Sequence, residues 1–360
     1  MRTVVIGGGI IGLLTARELA LAGRSVSVVD QGQIGAEASW AGGGILSPLY
    51  PWRYPDPVNS LANWSQRHYP ALATALIQEG GLDPQWTQSG LLVLDQAEHA
   101  AALSWAEGYG LPCEALTAQD CTRLEPALQV PGSTALWFPT LAQVRNPRLV
   151  KSLTESCVRH GVQLRESTQV TGIALRGQQL TAVETCNESL AADAVVVASG
   201  AWSARLLAGL GMQLPVRPVR GQMIMYHAEP GQVRHINLYE GHYLIPRQDG
   251  RVLVGSTLEE VDFDKSTTAG AREDLARFAG SLFPFLRTLP IETQWAGLRP
   301  GSPTGIPYIC NVPGVTGLYL NTGHYRNGVV LGYASARLLA DVMVGREPIL
   351  DPGPYGLARS

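Results

Sequence analysis

The opening residues, MRTVVIGGGIIG, constrain the fold more than any other stretch of the chain. Residues 3–6 are rich in β-branched side chains, which is typical of a buried parallel strand, and Gly7–Gly12 matches the pattern G-x-G-x-x-G. Apolar residues then recur at helical spacing over 13–20, and Gly23 follows as a stop signal. A second apolar stretch covers 26–29. The sequence therefore predicts a strand, a glycine turn, a helix and a second parallel strand.

Each part of this unit suits a bound pyrophosphate. Gly7 permits the tight turn, Gly9 lets the main chain approach the phosphates, and Gly12 lets helix and strand pack closely. The helix N-terminus offers unpaired N–H groups and a partial positive charge. Asp30 stands 18 residues after Gly12, where an acid accepts hydrogen bonds from ribose hydroxyls. We predict a dinucleotide site. The alternative is a glycine-rich turn in an ordinary unit, and the motif does not separate NAD from FAD.

A second glycine cluster, Ala38–Ile45, bears on the choice of nucleotide. It reads ASWAGGGI and follows soon after the second strand, where the chain can run along an extended cofactor. Its three glycines and small neighbours permit close approach to a flat ring. A nicotinamide enzyme has no general need for such a segment. The cluster favours FAD, with a flexible loop as the alternative.

Composition excludes several classes of protein. A length of 360 residues suggests two domains, at roughly 150 residues per domain. The net charge is −3 and no basic block is present, which argues against nucleic acid or an anionic membrane as partner. The five cysteines form no C-x-x-C pair, so we expect free thiols. No apolar run approaches the roughly 20 residues that span a bilayer. With the glycine motif starting at Gly7, we expect a cytoplasmic protein without a signal peptide.

The rest of the chain predicts an α/β fold with a discontinuous nucleotide domain. A helix is expected over 146–160, short strands around 162–166, 170–175 and 179–185, and a buried strand at 194–197. From Val216 the style changes to strands at 219–227, 233–239, 242–246 and 251–256, a helix near 268–281 and a glycine-rich segment with a turn at 298–300. A last strand at 318–321 precedes a helix from Gly328. We predict a Rossmann-type FAD-binding domain (1–84, 143–218 and 300–360) with an inserted α+β substrate domain on an antiparallel sheet (85–142 and 219–299).

Three residues stand out as candidates for chemistry. Arg299 is the only charge in WAGLRPG, and such surroundings suit an arginine that binds an anion through both nitrogens, or one that forms an internal ion pair. Tyr243 lies on a candidate strand and is either core packing or a hydroxyl that faces a ligand. Arg326 lies in GHYRNGVV, which joins a strand to a helix and so repeats the anion-binding geometry; the alternative is a solvated arginine. The seven histidines are scattered, and we expect no metal.

The chain resembles the D-amino-acid-oxidase family of flavoproteins, and within it the ThiO-type glycine oxidases. The resemblance covers nearly the whole chain and rests on VVIGGGIIG, ASWAGGGILSP, NPRLVKSL, VVVASGAWS, PVRGQM, HYLIPR, WAGLRPGSPTGIPYI and GHYRNG. It implies FAD, with Val170 at the position whose main chain meets the adenine. Together the motifs and the resemblance place against the cofactor Gly7, Gly9, Ile10, Ile11, Gly12, Asp30, Gln31, Ala38, Ser39, Gly43, Gly44, Ile45, Val170, Gly200, His324, Tyr325, Arg326, Asn327, Gly328, Val329 and Val330.

The same resemblance implies roles at the substrate. Arg299 matches the arginine that grips the substrate carboxylate, Tyr243 the tyrosine whose hydroxyl assists, and Arg326 the arginine near flavin and substrate. Leu258 stands where some relatives carry a methionine over the substrate. Cys310 does not match the flavin-linking cysteine of sarcosine oxidases, so FAD is expected to be non-covalent. Asp30 stands where glutamate is common.

The implied reaction is oxidation of glycine, or of sarcosine or D-alanine, by hydride transfer from Cα to flavin N5. Oxygen is the expected acceptor, and the products are glyoxylate, ammonia and hydrogen peroxide, with a link to thiazole synthesis for thiamine. We expect a homo-oligomer, and a main-chain carbonyl near Gly44 that favours the neutral amine. The alternatives are a sarcosine oxidase or D-amino acid dehydrogenase of the same fold, and a flavoprotein subunit without activity.

Overall fold

The structure of the protein is a computed structural model that describes residues 1–357. Its strands are β1 (Arg2–Ile6), β2 (Ser25–Val29), β3 (Leu91–Val93), β4 (Glu114–Thr117), β5 (Thr134–Phe138), β6 (Gln163–Arg165), β7 (Val170–Arg176), β8 (Gln179–Thr185), β9 (Ser189–Ala191), β10 (Ala194–Val197), β11 (Arg217–His227), β12 (Ile236–Tyr239), β13 (His242–Pro246), β14 (Arg251–Gly255), β15 (Ile291–Gly301), β16 (Tyr308–Asn311) and β17 (Leu318–Thr322). Its α-helices are α1 (Ile10–Leu21), α2 (Ala38–Ala41), α3 (Asp56–Gly80), α4 (His99–Gly108), α5 (Ala118–Leu124), α6 (Asn146–Arg159), α7 (Ser203–Ala208), α8 (Ala269–Leu282) and α9 (Gly328–Val344).

A six-stranded sheet carries the glycine motif. Its order is β16-β17-β10-β1-β2-β6, and every pair is parallel except β16 with β17. Side chains alternate across it: Val5, Val28 and Val196 face a core formed with α1, α3, α6 and α9. Val4, Val29 and Val195 face the opposite core, which the small sheet β7-β8-β9 covers. Because both faces are buried, these strands are apolar throughout, as the sequence predicts.

An eight-stranded sheet forms the second layer of the molecule. Its order is β15-β11-β14-β13-β12-β3-β5-β4, and it is antiparallel except where β12 runs parallel to β3. Asp249-Gly250 turns β13 into β14, and Gly250 adopts the positive φ that such a turn requires (85°). The predicted fold class, a parallel sheet of Rossmann type with an antiparallel substrate sheet, is confirmed.

Several elements were not predicted, among them α4, α5 and α7, and two of the differences concern long elements. The segment around Leu298–Pro300 is not a turn but the end of β15, which pairs with β11 from Arg217↔Gly301 to Tyr226↔Ile291. Its glycines favour an irregular conformation, but hydrogen bonding to β11 along the whole segment keeps it in an extended conformation. Helix α3 was not predicted. It is long, begins at Asp56-Pro57 and contains Pro70. Polar residues of its exposed face alternate in sequence with the apolar residues that pack on α6 and α9, so the apolar stripe is not evident from the sequence.

No helix within residues 1–357 combines the length and apolar character needed to cross a membrane.

Candidate active site

The glycine loop between β1 and α1 leaves no room for side chains. Gly7 adopts φ +110°, and a Cβ there would lie 2.5 Å from the Ala198 carbonyl oxygen. A Cβ on Gly12 would lie 1.8 Å from the Gly7 carbonyl oxygen. The N-cap residue of α1, Gly9, has no side chain, and the positive end of the helix dipole lies beside the loop. The close packing predicted for these glycines is therefore present.

Asp30 ties the end of β2 to this loop. One carboxylate oxygen accepts from the Gly8 N–H at 2.7 Å and the other from the Gly32 N–H at 2.8 Å. A carboxylate has about four acceptor sites, so further acceptor capacity remains for hydroxyl groups of a ligand. Asp30 thus shapes the loop and can still receive a ribose.

The second glycine cluster folds over the same loop. Ser39, on α2, accepts a hydrogen bond from the Ile10 N–H at 2.8 Å. A Cβ on Gly43 would lie 2.6 Å from Ile245, and one on Gly44 (φ +78°) would lie 2.0 Å from the Val144 carbonyl oxygen. The Gly43 carbonyl accepts from Arg247 at 2.8 Å and the Gly44 carbonyl from the Val144 N–H at 2.9 Å. Both carbonyls are therefore already engaged, and a substrate amine at Gly44 would have to share its acceptor.

One cavity joins these segments to the candidate catalytic residues. It runs from Asp30, Gln31 and Val170 at the nucleotide end to Arg299 and Tyr243. All the residues that the sequence predicts for the site line this cavity except Gly12 and Leu258. Gly12 acts behind the loop, through the packing described above.

Leu258 does not reach the cavity. Its side chain is 49% exposed. The chain leaves the sheet after Gly255, and the side chains of Thr257 and Glu259 turn towards Gln222 and Arg220. The alternation of an extended chain then leaves Leu258 on the other face. Leu258 is therefore not among the residues that line the cavity, and its contact with substrate stays a prediction.

Arg299 sits on β15 as a cation without an acidic partner. Its guanidinium donates to the Thr257 carbonyl at 3.1 Å and to the Ser256 hydroxyl at 2.7 Å. Within residues 1–357 no carboxylate lies within ion-pair distance of it. Burial lowers the pKa of Arg299; the neighbouring Tyr243 hydroxyl opposes that shift and the charge of Arg326 adds to it. The internal ion pair considered from sequence is thus not found.

Arg326 is the second cation at this end. Its Nε and one Nη are buried without a hydrogen-bond partner among the described residues, and the same is true of the Asn327 amide nitrogen. Tyr325, which precedes Arg326 in the loop after β17, is held at a positive φ of 50°. Buried donors without acceptors are rare, and here they line a cavity. The geometry indicates a bound group with acceptor atoms.

Tyr243, on β13, is buried in the wall of the cavity. It is 7% exposed, and its hydroxyl lies 3.8 Å from the Met223 sulfur. A Cβ on Gly255 would lie 2.9 Å from the Tyr243 hydroxyl, and one on Gly221 would lie 2.1 Å from the Arg299 guanidinium. Two glycines on neighbouring strands therefore make room for the two candidate side chains.

His324 begins the loop before α9 and is neutral. Burial lowers its pKa to about 3. The Ser335 hydroxyl donates to the Leu331 carbonyl at 2.8 Å and lies 3.0 Å from His324 Nε2, so Nε2 carries the proton. The imidazole thus anchors the loop to α9 and adds no charge to the cavity.

Sequence reasoning missed the residues that support Arg299. Arg220 is buried and bridges Glu259 at 2.5 Å and Asp264 at 2.6 Å. Glu259 in turn accepts from the Thr257 hydroxyl and the Gln222 amide. This network holds the segment whose Ser256 and Thr257 bind Arg299. The motif PVRGQM contains Arg220, Gly221 and Gln222, but only the pairing of β11 with β15 reveals their role.

The residues present fit an FAD cofactor. The glycine loop is closed to side chains, Asp30 stands beside it, and the cavity continues past Gly43 to unpaired donors at Arg326 and Asn327. A dinucleotide with a flat ring needs this sequence of contacts.

Comparisons with known proteins agree with this geometry. The family model described as DAO, FAD dependent oxidoreductase, matches residues 2–342. The glycine oxidase of Pseudomonas aeruginosa is 50% identical over 358 residues, which cover 99% of this chain and 98% of that protein. The bifunctional protein ThiO/ThiG of Synechocystis is 34% identical over 96% of this chain and 52% of its own length.

A solved structure is similar over the whole chain. The crystal structure of glycine oxidase from Geobacillus kaustophilus aligns with a TM-score of 0.95 at 32% identity, over 100% of this chain and 99% of that one. Together with the family match, this covers both sheets and every segment of the cavity. The chain belongs to the DAO family of FAD-dependent oxidoreductases.

Proposed function

We propose that this chain is a glycine oxidase, which converts glycine, O2 and water into glyoxylate, ammonia and hydrogen peroxide. The observation that carries the proposal is the pair of cations at one end of the cavity. Arg299 and Arg326 lie there beside Tyr243 without an acidic partner in the described chain. The relative that is 50% identical over nearly the full length is a glycine oxidase. A small amino acid supplies the missing anion.

Arg299 is the proposed carboxylate ligand. Its two Nη atoms already donate to Thr257 and Ser256, which fix the plane of the guanidinium while leaving other N–H donors for a ligand. The Tyr243 hydroxyl adds a donor next to it. A buried ion pair of fixed geometry converts binding energy into orientation, so the carboxylate end determines where the Cα–H bonds point.

The charges at this end also favour the neutral form of the substrate amine. Two cations disfavour an ammonium group nearby. The acidic residues that line the cavity are engaged elsewhere, since Glu37 pairs with Lys265 at 2.8 Å and Asp30 binds main-chain N–H groups. The neutral amine has the lone pair that assists departure of hydride from Cα. No side-chain base is required for that step.

A bound FAD would supply the hydride acceptor for Cα and the route for electrons to O2, and the glycine loop with Asp30 would hold it. The chain contributes a positive electrostatic potential, since the N-terminus of α9 begins at Gly328, which lines the cavity. That potential would favour negative charge on a group bound beside Gly328. The imine released from glycine hydrolyses to glyoxylate, or enters thiazole synthesis, as the similarity to a ThiO/ThiG protein suggests.

We further infer that FAD is bound without a covalent link. No cysteine is among the residues that line the cavity in the described chain. We also infer domain boundaries near 84, 142, 218 and 299. Strands β3–β5 and β11–β15 form one sheet, and β1, β2, β6, β10, β16 and β17 form the other, which supports a substrate domain inserted in a nucleotide domain.

An anaerobic spectrum tests the proposal. Purified protein loaded with FAD should lose its visible flavin absorption when glycine is added without oxygen, and should regain it with peroxide release when air enters. Parallel additions of sarcosine and D-alanine, with and without an artificial electron acceptor, rank the substrates and separate oxidase from dehydrogenase. Persistence of the yellow band with glycine would refute the proposal and favour a flavoprotein subunit without activity.

A further inference from the structure

A second cavity lies behind the Gly43–Gly44 segment. It has a volume of about 270 Å³ and is bounded by residues 85, 87, 89, 143, 145, 231, 233, 234 and 246–248. A cavity of this size can take a small molecule. Arg145, Arg234 and Arg247 contribute to its wall, together with amide side chains such as Gln143 and Gln248. No acidic residue is among the described residues that line it.

The charges of these arginines are poorly compensated. Asp249 pairs with Arg145 at 2.9 Å, but it is shared with Arg251, also at 2.9 Å. Within residues 1–357 no carboxylate lies within ion-pair distance of Arg234 or Arg247. Glu125 accepts from the main-chain N–H of Arg234 and forms no ion pair with its guanidinium, although the charge of Arg234 acts on the Glu125 carboxylate. The wall therefore has a net positive charge.

Arg247 is the buried member of this set. It is 8% exposed, and burial, with the nearby charge of Arg145, lowers its pKa to about 9. A guanidinium has five N–H donors. The Arg247 guanidinium donates three hydrogen bonds to neutral oxygens: the Gln143 side chain at 2.5 Å, the Val144 carbonyl at 3.0 Å and the Gly43 carbonyl at 2.8 Å. Donors and charge thus remain for an anion.

The same three contacts connect the second cavity to the first. Gly43 lines the cofactor cavity, and Val144, which accepts from Arg247, donates in turn to the Gly44 carbonyl. Any shift of the Arg247 guanidinium towards a ligand changes the hydrogen bonds that hold this glycine segment. A Cβ on Gly43 would lie 2.6 Å from Ile245, and one on Gly44 would lie 2.0 Å from the Val144 carbonyl oxygen, so the segment is closely packed where Arg247 contacts it.

We propose that the second cavity binds a small oxyanion, of the phosphate or carboxylate class, and that binding is transmitted through Arg247 to the segment beside the flavin. The ligand is held by Arg145, Arg234 and Arg247, and the amides at its wall complete the hydrogen bonds. The site is separate from the one that takes glycine, and its existence does not depend on which amine the enzyme oxidises.

Calorimetry on the FAD-loaded protein tests the site. Sodium phosphate is titrated at constant ionic strength against chloride, with sodium acetate as a second arm that identifies a carboxylate preference. We expect one saturable anion site per chain that persists in Arg299→Ala, which lacks the proposed carboxylate ligand of the substrate site, and Arg234→Gln and Arg145→Gln should each weaken binding to it by roughly tenfold or more, as expected for loss of a charged hydrogen bond. Arg277→Gln, which removes an exposed arginine of α8, should bind as the unaltered protein does. Absence of saturable binding of both anions, or binding unaffected by the two substitutions, would overturn the site.

The flavin spectrum tests the link through Arg247. Phosphate should shift the visible absorption bands over the same concentration range as in calorimetry. Arg247→Lys keeps the charge but cannot span the Gly43 and Val144 carbonyls together, so phosphate should still bind while the spectral shift is lost. If phosphate binds with no spectral change in the unaltered protein, the coupling is refuted while the anion site stands. The amine oxidase proposal is judged separately, by the anaerobic glycine spectrum.

Discussion

The cavity is built from main chain at its nucleotide end and from side chains at its substrate end. Near Asp30 the walls include the glycines of one βαβ unit, where Gly12 packs on Gly7 within the loop and Gly7 packs on the main chain of Ala198 after the neighbouring parallel strand. Near Arg299 the walls come from β11, β13, β15 and the loop before α9, which are far apart in the chain. The first end therefore depends on local turn geometry and the second on strand register. Substitutions at the two ends should fail in different ways.

The largest expected effect is at Arg299. Arg299→Ala removes the buried cation that holds the substrate carboxylate, so kcat/KM for glycine should fall by at least about 3 kcal/mol, roughly 150-fold. FAD content should stay normal, because Arg299 lies at the other end of the cavity from Asp30. Arg277→Ala, on the exposed face of α8, is the matched control. Steady-state kinetics with glycine decide it, and an unchanged kcat/KM would remove Arg299 from the site.

At the nucleotide end the sensitive position is Gly12. A Cβ there meets the Gly7 carbonyl oxygen at 1.8 Å, and the strain should cost about 3 kcal/mol, shared between folding and FAD binding. Gly12→Ala should therefore retain little FAD, in contrast to Arg299→Ala. Gly108→Ala, where a Cβ has no neighbour within 4 Å, is the control. The measurement is flavin content per folded chain, with circular dichroism as the check on folding. Normal FAD content in Gly12→Ala would contradict this prediction.

Gly221→Ala tests whether the register between β11 and β15 governs the geometry of the substrate end. A Cβ at Gly221 would lie 2.1 Å from the Arg299 guanidinium and must displace it. Because a displacement of about 1 Å can cost roughly 100-fold in rate, kcat/KM for glycine should fall by about that factor with FAD retained. Gly172→Ala, on strand β7, adds a Cβ in ordinary contact at 3.9 Å and should be silent. Equal kinetics for the two variants would show that Arg299 does not need this space.

Tyr243→Phe should have a smaller effect. The variant keeps the ring that packs beside Gly255 and loses only the hydroxyl next to Arg299. Loss of one hydrogen bond to a charged group predicts about 1–2 kcal/mol in kcat/KM. Comparison with Tyr243→Leu, which also removes the ring, separates hydroxyl from packing. A silent Phe variant would place the hydroxyl outside the reaction.

His324 should show in stability against pH rather than in turnover. Its pKa is lowered from 6.5 to about 3, so the unfolded chain takes up a proton more readily than the folded one. The contribution is complete above pH 6.5 and is lost as pH falls towards 3. His324→Gln keeps an N–H for Ser335 and should flatten this slope, measured as Tm between pH 4 and 7, whereas His227→Gln, at an exposed site, should not. Parallel slopes for His324→Gln and the unaltered protein would contradict the assignment. The raised pKa of Glu125, about 7, makes stability fall as pH rises, which is opposite to the effect of His324. The test therefore compares the pH slope of each variant with that of the unaltered protein, in which Glu125 is the same.

The sequence alone determined the nucleotide end. Strand, glycine turn, helix and Asp30 follow one another within 30 residues, and the positive φ of Gly7 and the tight contact of Gly12 are what the motif requires. The antiparallel strands of the second sheet, including β13 and its Asp249-Gly250 turn, were also predictable, because alternation and turn residues are local signals.

Only the tertiary structure decided how the substrate end is assembled. The same chain carries Arg299 in a segment that resembled a turn, and pairing with β11 makes it a strand whose guanidinium occupies the space left by Gly221. The same holds for Arg247 and for the support of Thr257 by Glu259 and Arg220, whose partners lie far away in sequence. Leu258 shows the converse, since a matching position in sequence did not place its side chain in the cavity. Local patterns specify backbone conformation, whereas contacts between distant side chains depend on strand register, which forms only when the sheets assemble.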